Sequence, residues 1–544
     1  MYKLFLCLRY LRRRRIAFFS VAAVCLCTAM VLIVVSVMNG FLQMVRDRSR
    51  GMLGDLIMEN QSLQGFPYYQ DFIDQVKHDP ELGQRIYEAT PLIISYGVIR
   101  FPSDQITKPA QVLGIRFDET CRVNDFGKGL FYEKYYPGTT TLKPQKEPRL
   151  GRDEKGQYVL PTYLEAARSR WEKSAPPDEI AKAWRSKAVP YAGPGAYLPL
   201  PDAYAPSGVD TTGLEPVAPA YDGPELPGAI IGTDMVAKRL PTGEYEREYY
   251  SRGSTITLTF VPFTDTGKPL ESGTGMPSKV FRYADDCRTG VYDIDSMSVY
   301  VDFDLLQDVL NMKEDKYTGE QGGGVIPART TQVQIKLNAG YDPRATRDLL
   351  QKQWDEFFMS RIHSVRTPDL LRRVEIRTWE EKQAKYIAAV EKEKYLVTTL
   401  FGVISVVAVF LVVCIFYMIV QQKTRDIGII KSVGATALGV AQIFLAYGAA
   451  VGIVGGGIGT IIAVYFVKYI NEFQHGLERL GRVFHMDLQV WNPEVYAFDR
   501  IPNQVQVWDA VIIYAVAVLM AVAGSVIAAV KAARIWPVEA LRYE

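Results

Sequence analysis

The 544-residue chain contains no Gly-Lys-Ser or Gly-Lys-Thr, so it lacks the phosphate-binding loop of P-loop ATPases. Histidine is scarce, with four residues scattered along the chain, and no Cys/His cluster has the spacing of a zinc site. The net charge of +2 gives no indication of a nucleic-acid partner. The sequence therefore predicts a protein with no metal site, no catalytic residues and no bound cofactor. If ATP drives it, ATP and magnesium must be bound by another chain.

Cysteine is also scarce, and four of the six residues lie in or beside apolar stretches. Cys121 and Cys287 are the two that fall in a large polar region. In an extracytoplasmic domain such a pair is compatible with a disulfide and also with two buried thiols. We take the disulfide as the hypothesis, because closing so long a loop would contribute about 2 to 4 kcal/mol.

Apolar residues are concentrated in long stretches near the two ends of the chain. Each stretch reaches the roughly 20 residues needed to cross about 30 Å of hydrocarbon, and a basic start followed by so long a run is not a cleaved signal. We predict an α-helical membrane protein with four transmembrane helices, at 16–45, 395–420, 437–467 and 509–530.

The charges beside these stretches predict their orientation. Residues 1–15 form an amphipathic segment that ends in four arginines, which is typical of a surface helix on the cytoplasmic side. Basic residues in the short break at 421–436 place that break on the same side. An even number of spans then returns the tail, 531–544, to the cytoplasm. The polar regions 46–394 and 468–508 are predicted to be extracytoplasmic.

The break at 421–436, QQKTRDIGIIKSVGAT, is predicted to be a short helix. Ile427, Ile429, Ile430 and Val433 recur in it at helical spacing. A short amphipathic helix at the membrane surface is an element that a soluble partner can push. The alternative is an ordinary connecting loop.

The polar region 46–394 is predicted to be a large α+β domain. Its two ends show β-α-β patterns that would pack together, at 55–59, 68–77 and 86–101 and again at 332–337, 343–358 and 374–378. Between them, the insertion 142–228 is rich in Pro, Gly and Tyr and is predicted to be irregular apart from one helix near 162–171. The β-rich part that follows includes a helix at 229–240 and strands near 254–263 and 297–303.

Two further patterns in this region have alternative interpretations. Asp293, Asp295, Asp302 and Asp304 lack the spacing of a 12-residue calcium loop, so solvated strand faces and turns are the better interpretation. Thr378 and Glu381 have the spacing of a capping box, and the helix they start is predicted to run unbroken into the second span.

Small residues repeat at every fourth position in the third and fourth predicted spans. Gly448, Gly452 and Gly456 form one such stripe, Gly455 and Gly459 a second, and Ala521 and Ser525 belong to a third. Such stripes allow close approach of membrane helices, although Gly and Ala are also simply common in them.

A series of motifs resembles the transmembrane subunits of lipoprotein-releasing ABC transporters, the LolC and LolE type within the MacB and FtsX superfamily. They follow the order of that family and are LFLCLRYLRRRR at 4–15, SVMNGF at 36–41, AQVLGIRFD at 110–118, IIGTDMVAKRL at 230–240, TGVYDIDSMSVYVD at 289–302, KTRDIGIIKSVGAT at 423–436 and PVEALRYE at 537–544.

The resemblance implies a bacterial inner-membrane permease that works as a homo- or heterodimer with a separate ABC ATPase subunit. ATP-driven movement would be passed to the outer domain, with no cargo crossing a pore. The segment 421–436 would be the coupling helix, acting through Lys423, Arg425, Asp426, Ile427, Gly428, Lys431 and Gly434. The SVMNGF motif would meet substrate and membrane lipids through Ser36, Asn39, Gly40 and Phe41.

Lipoprotein-releasing members of the family take acylated lipoproteins from the membrane and pass them to a periplasmic chaperone. The resemblance implies that the hairpin loop at 262–278 docks this chaperone, through Pro269, Gly273, Met276 and Pro277. On the residues alone, a plain surface loop is the preferred alternative. The sequence departs from the family pattern in two ways: the outer domain is longer than usual, which leaves the cargo open, and Asp426 stands where the family pattern has Glu. The alternatives are a MacB-like efflux or secretion permease and an FtsX-like regulator of an extracytoplasmic enzyme.

Overall fold

The computed structural model describes residues 15–60, 62–101, 106–146, 151–152, 158–159, 162–185, 225–239, 245–246, 252–262, 276–319, 322–362, 368–483, 501–536 and 538. The chain divides into two units. The helical unit comprises Met1–Arg46, Lys385–Asn492 and Arg500–Glu544, and the α/β unit comprises Asp47–Ala384 and Pro493–Asp499.

Within the described residues, four helices are long and apolar enough to cross a membrane. The first to fourth membrane helices are Arg15–Leu53, Ala384–Gln422, Ala437–Lys468 and Val507–Arg534. Each contains a predicted span, and the first continues well beyond the predicted end of its span. Two shorter helices belong to the same unit, Thr424–Ser432 and Ile470–Val483.

Glycines of the third membrane helix lie directly against its neighbours. A Cβ atom added to Gly448 would lie 2.5 Å from the Cβ of Ser525 in the fourth helix. A Cβ added to Gly459 would lie 2.5 Å from the carbonyl oxygen of Cys25 in the first helix. Because only small residues allow such close approach, the predicted small-residue stripes are confirmed as helix interfaces.

The predicted capping box is present, but the helix that it starts is short. The Glu381 N–H donates to the Thr378 hydroxyl, and the Thr378 N–H donates to the Glu381 carboxylate. The prediction of one unbroken helix into the second span is wrong, because Trp379–Lys382 ends at Gln383. Gln383 has φ −94° and ψ 7°, and its N–H bonds to the carbonyls of both Trp379 and Glu381. The second membrane helix begins anew at Ala384.

The α/β unit is built on one nine-stranded sheet. Its strands are β1 Leu56–Asn60, β2 Ile86–Phe101, β3 Ile106–Ile115, β4 Gly228–Gly232, β5 Thr255–Phe260, β6 Ser278–Cys287, β7 Ser298–Asp302, β8 Gln332–Leu337 and β9 Val374–Thr378. They are ordered β5-β6-β4-β7-β3-β2-β8-β1-β9. β5 also pairs with the second half of β2, so strands β2 to β7 close into a ring.

The other end of the sheet confirms the two predicted β-α-β halves. One is β1, the helix Tyr69–His78 and β2, and the other is β8, the helix Pro343–Arg361 and β9. The strand order β2-β8-β1-β9 interleaves the halves, and all three pairings are antiparallel. Both helices contribute to one core, in which the rings of Phe72 and Trp354 make a T-shaped contact at 4.9 Å. This is the split β-α-β arrangement.

The ring of β2 to β7 corrects one prediction. Residues 229–232 belong to strand β4, and only the single turn Thr233–Val236 is helical. β4 lies between β6 and β7, and every residue in it is buried. A strand that is buried on both faces shows an unbroken apolar run, which periodicity cannot distinguish from a buried helix.

The remaining described elements are short. The predicted helix near 162–171 is confirmed as Thr162–Ser174 and is followed by Pro177–Arg185, while residues 186–224 of the insertion lie outside the described residues. Other helices are Leu82–Arg85, Phe117–Val123, Asp125–Gly129 (3-10), Phe131–Tyr135, Tyr292–Asp295, Phe303–Val309 and Asp369–Arg372. Short strands pair as Phe66–Pro67 with Arg329–Thr330, Gly151–Arg152 with Tyr158–Val159, Lys238–Arg239 with Tyr245–Glu246, and Asp315–Gly319 with Gly322–Ile326.

Candidate functional site

The predicted helix in the 421–436 break is present as Thr424–Ser432, which we call the junction helix. The alternative of an ordinary connecting loop is therefore wrong. Ile427 and Gly428 are buried against the membrane helices, and Lys423 forms an ion pair with Asp426. These contacts fix one face of the junction helix to the helical unit.

The apolar residues of this segment do not share one face. Ile429 is 46 % exposed and Val433, just past the end of the helix, is 84 % exposed. Together with the exposed Arg425 they follow one another at intervals of four, which places them on one side. We call these three residues the exposed stripe. A stripe that combines apolar and cationic side chains is available to a partner molecule.

Lys431 has an internal partner instead. Its ammonium donates to the carbonyl oxygens of Ala533 at 2.6 Å and Ile535 at 2.8 Å, at the C-terminal end of the fourth membrane helix. Carbonyls at a helix C-terminus lack intrahelical donors and carry the negative end of the helix dipole, so a cation is favoured there. Lys431 therefore links the junction helix to the fourth membrane helix.

Gly434 terminates the junction segment. Its φ is +105°, a conformation that favours glycine, and a Cβ added there would meet nothing within 4 Å. The space beside Gly434 is open, so backbone geometry rather than close packing requires the glycine.

The SVMNGF motif lies mostly inside the helical unit. Ser36 and Asn39 are 1 % and 3 % exposed, and Phe41 is half-buried. A Cβ added to Gly40 would lie 2.7 Å from the backbone nitrogen of Asn503, in the segment before the fourth membrane helix. The structure thus gives three of the four predicted interface residues internal packing contacts, and their predicted role toward substrate and lipid stays a prediction.

A cavity of about 280 Å³ lies between the first, second and fourth membrane helices. Thr28 and Ser405 in its wall donate to carbonyls one turn earlier in their own helices, and the Cys27 thiol donates to Ser405. The described residues that line it include no charged side chain, and Gly402 opens onto it with nothing within 4 Å of an added Cβ. Such walls offer dispersion contacts rather than hydrogen bonds, which suits an alkyl chain.

The hairpin predicted around the 262–278 loop is confirmed. β5 and β6 are antiparallel, with Thr259 opposite Ser278. At its described end, Met276 is 62 % exposed and the Pro277 carbonyl accepts from the Phe260 N–H. Pro269 and Gly273 lie outside the described residues. The predicted docking function of the loop stays a prediction.

The hypothesis of a disulfide between Cys121 and Cys287 is contradicted, because both are free thiols in the structure. They lie in one apolar cluster beside the 3-10 helix Asp125–Gly129. Gly127 of this helix lies beside the Cys121 sulfur, and Gly129 lies beside the Cys287 sulfur. Burial raises the pKa of Cys121 to about 11 and that of Cys287 well above its usual value. Both sulfurs are thus packed as neutral thiols, the alternative that the sequence left open.

Two of the acidic residues at 293–304 act as local caps. Asp295 accepts from the backbone N–H groups of Thr289 and Gly290, and Asp302 accepts from the Leu305 N–H at the start of a helix. These bonds fit the predicted turns, but the prediction of solvated side chains is wrong for Asp295, which is buried.

Sequence reasoning missed a buried carboxylate on strand β6. Asp285 is fully buried, and one of its oxygens accepts from the N–H groups of Tyr132 and Asp286. The other oxygen accepts from the Glu133 N–H and the Thr140 hydroxyl. Burial raises the pKa of Asp285 to about 7. The adjacent carboxylates Asp285 and Asp286, which directly follow the apolar and aromatic residues Tyr283 and Ala284 in β6, were the signal that could have indicated this site.

The family match to known proteins lies in the helical unit. Residues 398–537 match the family described as FtsX-like permease C-terminal. The chain is 29 % identical over 169 residues to the lipoprotein-releasing system transmembrane protein LolC of Neisseria meningitidis serogroup B, and 30 % identical over 173 residues to LolC of Xylella fastidiosa. Each alignment covers 31 % of this chain and 40 % of the relative.

A LolE protein of Haemophilus influenzae is 22 % identical over 215 residues, which is 40 % of this chain and 47 % of the relative. The chain thus spans less than half the length of these curated relatives. Most of the second membrane helix and the whole of the third and fourth are thus similar to an FtsX-like permease domain, which supports an ABC-transporter transmembrane subunit in a bacterial inner membrane. Within that class the matches confirm the resemblance to a permease of the LolC/LolE type.

Proposed function

We propose that the chain is a mechanotransmitting ABC-transporter subunit that extracts lipoproteins from the inner membrane for a periplasmic chaperone. The observation that carries the proposal is an uncharged cavity between the membrane helices of a LolC/LolE-type permease, where an alkyl chain of a lipid-anchored cargo fits. The name of the LolC and LolE relatives, lipoprotein-releasing system transmembrane protein, gives the same class of cargo.

In this proposal the junction helix faces the cytoplasm, together with both chain termini, and the α/β unit lies on the opposite side. The exposed stripe of Arg425, Ile429 and Val433 binds the ABC ATPase subunit, which holds ATP and magnesium. A second permease subunit completes the complex. Movement of the junction helix reaches the fourth membrane helix through Lys431.

Reconstitution tests the proposal directly. The chain, its cognate ATPase and any second permease subunit are placed in proteoliposomes with a triacylated lipoprotein, and transfer to a soluble chaperone is measured. We expect ATP-dependent transfer, and no ATP hydrolysis by the chain alone. ATP-dependent export of a small lipophile without lipoprotein transfer would favour the MacB-like alternative. Activation of an extracytoplasmic enzyme without any transport would favour the FtsX-like one.

Filling the cavity should impair transfer. Gly402→Leu places a branched side chain into the open space of the cavity without a backbone clash. It would exclude about two methylenes of a bound alkyl chain. At about 0.8 kcal/mol per buried methylene, lipoprotein transfer should fall roughly tenfold.

Val403→Leu is the matched control, because it creates a leucine at the adjacent position, which is 62 % exposed. ATP hydrolysis by the assembled complex should be the same for both variants. Wild-type levels of lipoprotein transfer by Gly402→Leu would mean that the cavity does not hold the alkyl chain of the cargo.

Substitutions in the exposed stripe and at Lys431 should impair different steps of the proposed function. Arg425→Glu should weaken binding of the ATPase subunit about tenfold, because it reverses a charge at the contact surface. Lys431→Met should leave that binding unchanged but reduce cargo transfer per ATP hydrolysed, because Lys431 contacts the fourth membrane helix.

Binding is measured with purified ATPase, and transfer in proteoliposomes. Lys392→Glu, an exposed charge reversal near the other end of the second membrane helix, controls for net charge. Equal ATPase affinity for Arg425→Glu and Lys392→Glu would show that the stripe is not the docking surface.

A further inference from the structure

Asn39 of the first membrane helix lies between a cation of the second and an anion of the fourth. The Lys394 ammonium donates to the Asn39 side-chain oxygen at 2.6 Å. The Asn39 side-chain nitrogen donates to the Asp509 carboxylate at 2.5 Å. Asn39 is buried within the helical unit. We call these three residues the clasp.

The chemistry of the clasp requires an amide at its centre. An ammonium group only donates hydrogen bonds and a carboxylate only accepts them, whereas an amide does both. The orientation of the Asn39 side chain is therefore fixed by its two neighbours, and both bonds are charge-assisted. Asp509 also lies in the first turn of the fourth membrane helix, where the helix dipole favours an anion.

Two neighbouring contacts strengthen this junction. Arg46 forms an ion pair with Glu391 at 3.0 Å, about two helical turns beyond Asn39, which links the first and second membrane helices again. The Ser36 carbonyl accepts from the Gln504 N–H, in the segment before the fourth helix. The first membrane helix is therefore held to the second helix on one side of Asn39 and to the segment before the fourth helix on the other.

The fourth membrane helix is thus bonded at both ends. Lys431 of the junction helix bonds to its C-terminal carbonyls, and Asn39 bonds to Asp509 in its first turn. The clasp adds the first and second membrane helices to this connection. In the sequence, the α/β unit lies between these two helices.

We propose that Asn39 is a positioning residue of the transport cycle. It holds the first, second and fourth membrane helices together, so that movement of the fourth helix is passed to the two helices that flank the α/β unit in the chain. The inference rests on the proposed function. It gives Asn39 a role in transmission between helices instead of contact with cargo.

A swap of amide and carboxylate tests this. Asn39→Asp keeps an acceptor for Lys394 but takes the donor from Asp509 and places two carboxylates together. The double variant Asn39→Asp with Asp509→Asn restores every donor and acceptor, because the new carboxylate can accept from both Lys394 and the new amide. The assembled complex in proteoliposomes gives lipoprotein transfer and ATP hydrolysis, and thermal unfolding of the full chain in detergent gives its stability.

We expect Asn39→Asp to lower lipoprotein transfer at least tenfold, and the double variant to return to within about twofold of the wild type. Three results would overturn the proposal. They are normal transfer by Asn39→Asp, a double variant as impaired as the single one, and a loss of transfer no greater than the loss of folded protein.

Failure of the proposed function can be distinguished from failure of the clasp proposal. If the wild-type complex transfers no lipoprotein, the cargo assignment has failed, and the clasp is then judged on ATP hydrolysis by the complex. Stimulation of the ATPase by the chain should be lost in Asn39→Asp and regained in the double variant. Unchanged stimulation in the single variant would then overturn the clasp as well.

Discussion

Gly40→Ala is expected to destabilise the helical unit by roughly 1 to 3 kcal/mol or more, because overpacking against a backbone cannot be relieved by a rotamer change. The added Cβ would lie 2.7 Å from the Asn503 nitrogen and 2.8 Å from the Pro502 carbonyl carbon. Either the first membrane helix or the segment leading into the fourth must shift. Thermal unfolding of the purified full chain in detergent measures the loss.

Gly402→Ala is the matched control for this substitution. It makes the same change within another membrane helix, where an added Cβ meets nothing within 4 Å. Replacing a helical glycine by alanine in open space should be neutral or stabilising by up to about 1 kcal/mol. Equal unfolding temperatures for Gly40→Ala and the wild type would mean that the segment before the fourth helix is not packed on Gly40.

The sequence predicted the elements whose patterns are local. Gln332–Leu337 and Val374–Thr378 were predicted with the bounds that the structure has, because a strand of this length carries its own β-branched and alternating signal. The capping box of Thr378 and Glu381 is equally local, since both partners lie within four residues. The glycine stripes were predicted because a single helix displays them at a fixed interval.

Features that depend on distant partners were not predictable. The ring closes through pairing of β5 with β2, which are separated by more than 150 residues, and no local pattern specifies such a contact. The break at Gln383 follows a sequence without glycine or proline, the residues that usually indicate the end of a helix. The burial of Asn39 could not be foreseen either, because its two charged partners lie in other membrane helices.

The sequence predicted where the junction helix lies but not what each of its residues contacts. The junction helix lies where the motif placed it, yet its residues differ in what they contact. Lys431 and Ile427 face the helical unit, whereas Ile429 and Val433 are exposed. Helical periodicity identifies residues that share a face, but only the packed neighbours determine which face is covered. The division between partner-facing and internal residues therefore required the structure.

Asp285→Asn is expected to destabilise the α/β unit by about 3 kcal/mol at pH 8, above the pKa of about 7, where the carboxylate is charged. The cause is geometric. Each Asp285 oxygen accepts two hydrogen bonds, from Tyr132 and Asp286 on one side and from Glu133 and Thr140 on the other. An asparagine keeps one acceptor and directs its amide N–H groups at two existing donors, so two buried bonds are lost.

Loss of the negative charge removes the favourable interaction between Asp285 and Arg252, a cation that is itself almost fully buried, but it also removes the desolvation cost that raises the Asp285 pKa. The expected loss of stability therefore comes from the hydrogen bonds. Asp304→Asn provides the control, because it makes the same chemical change at an exposed position of the helix Phe303–Val309 and should shift stability by no more than about 0.5 kcal/mol. Limited proteolysis of the full chain in detergent, with fragments mapped to the α/β unit, separates local from global unfolding. If Asp285→Asn resists protease as well as Asp304→Asn does, the buried carboxylate is not a structural requirement of the ring.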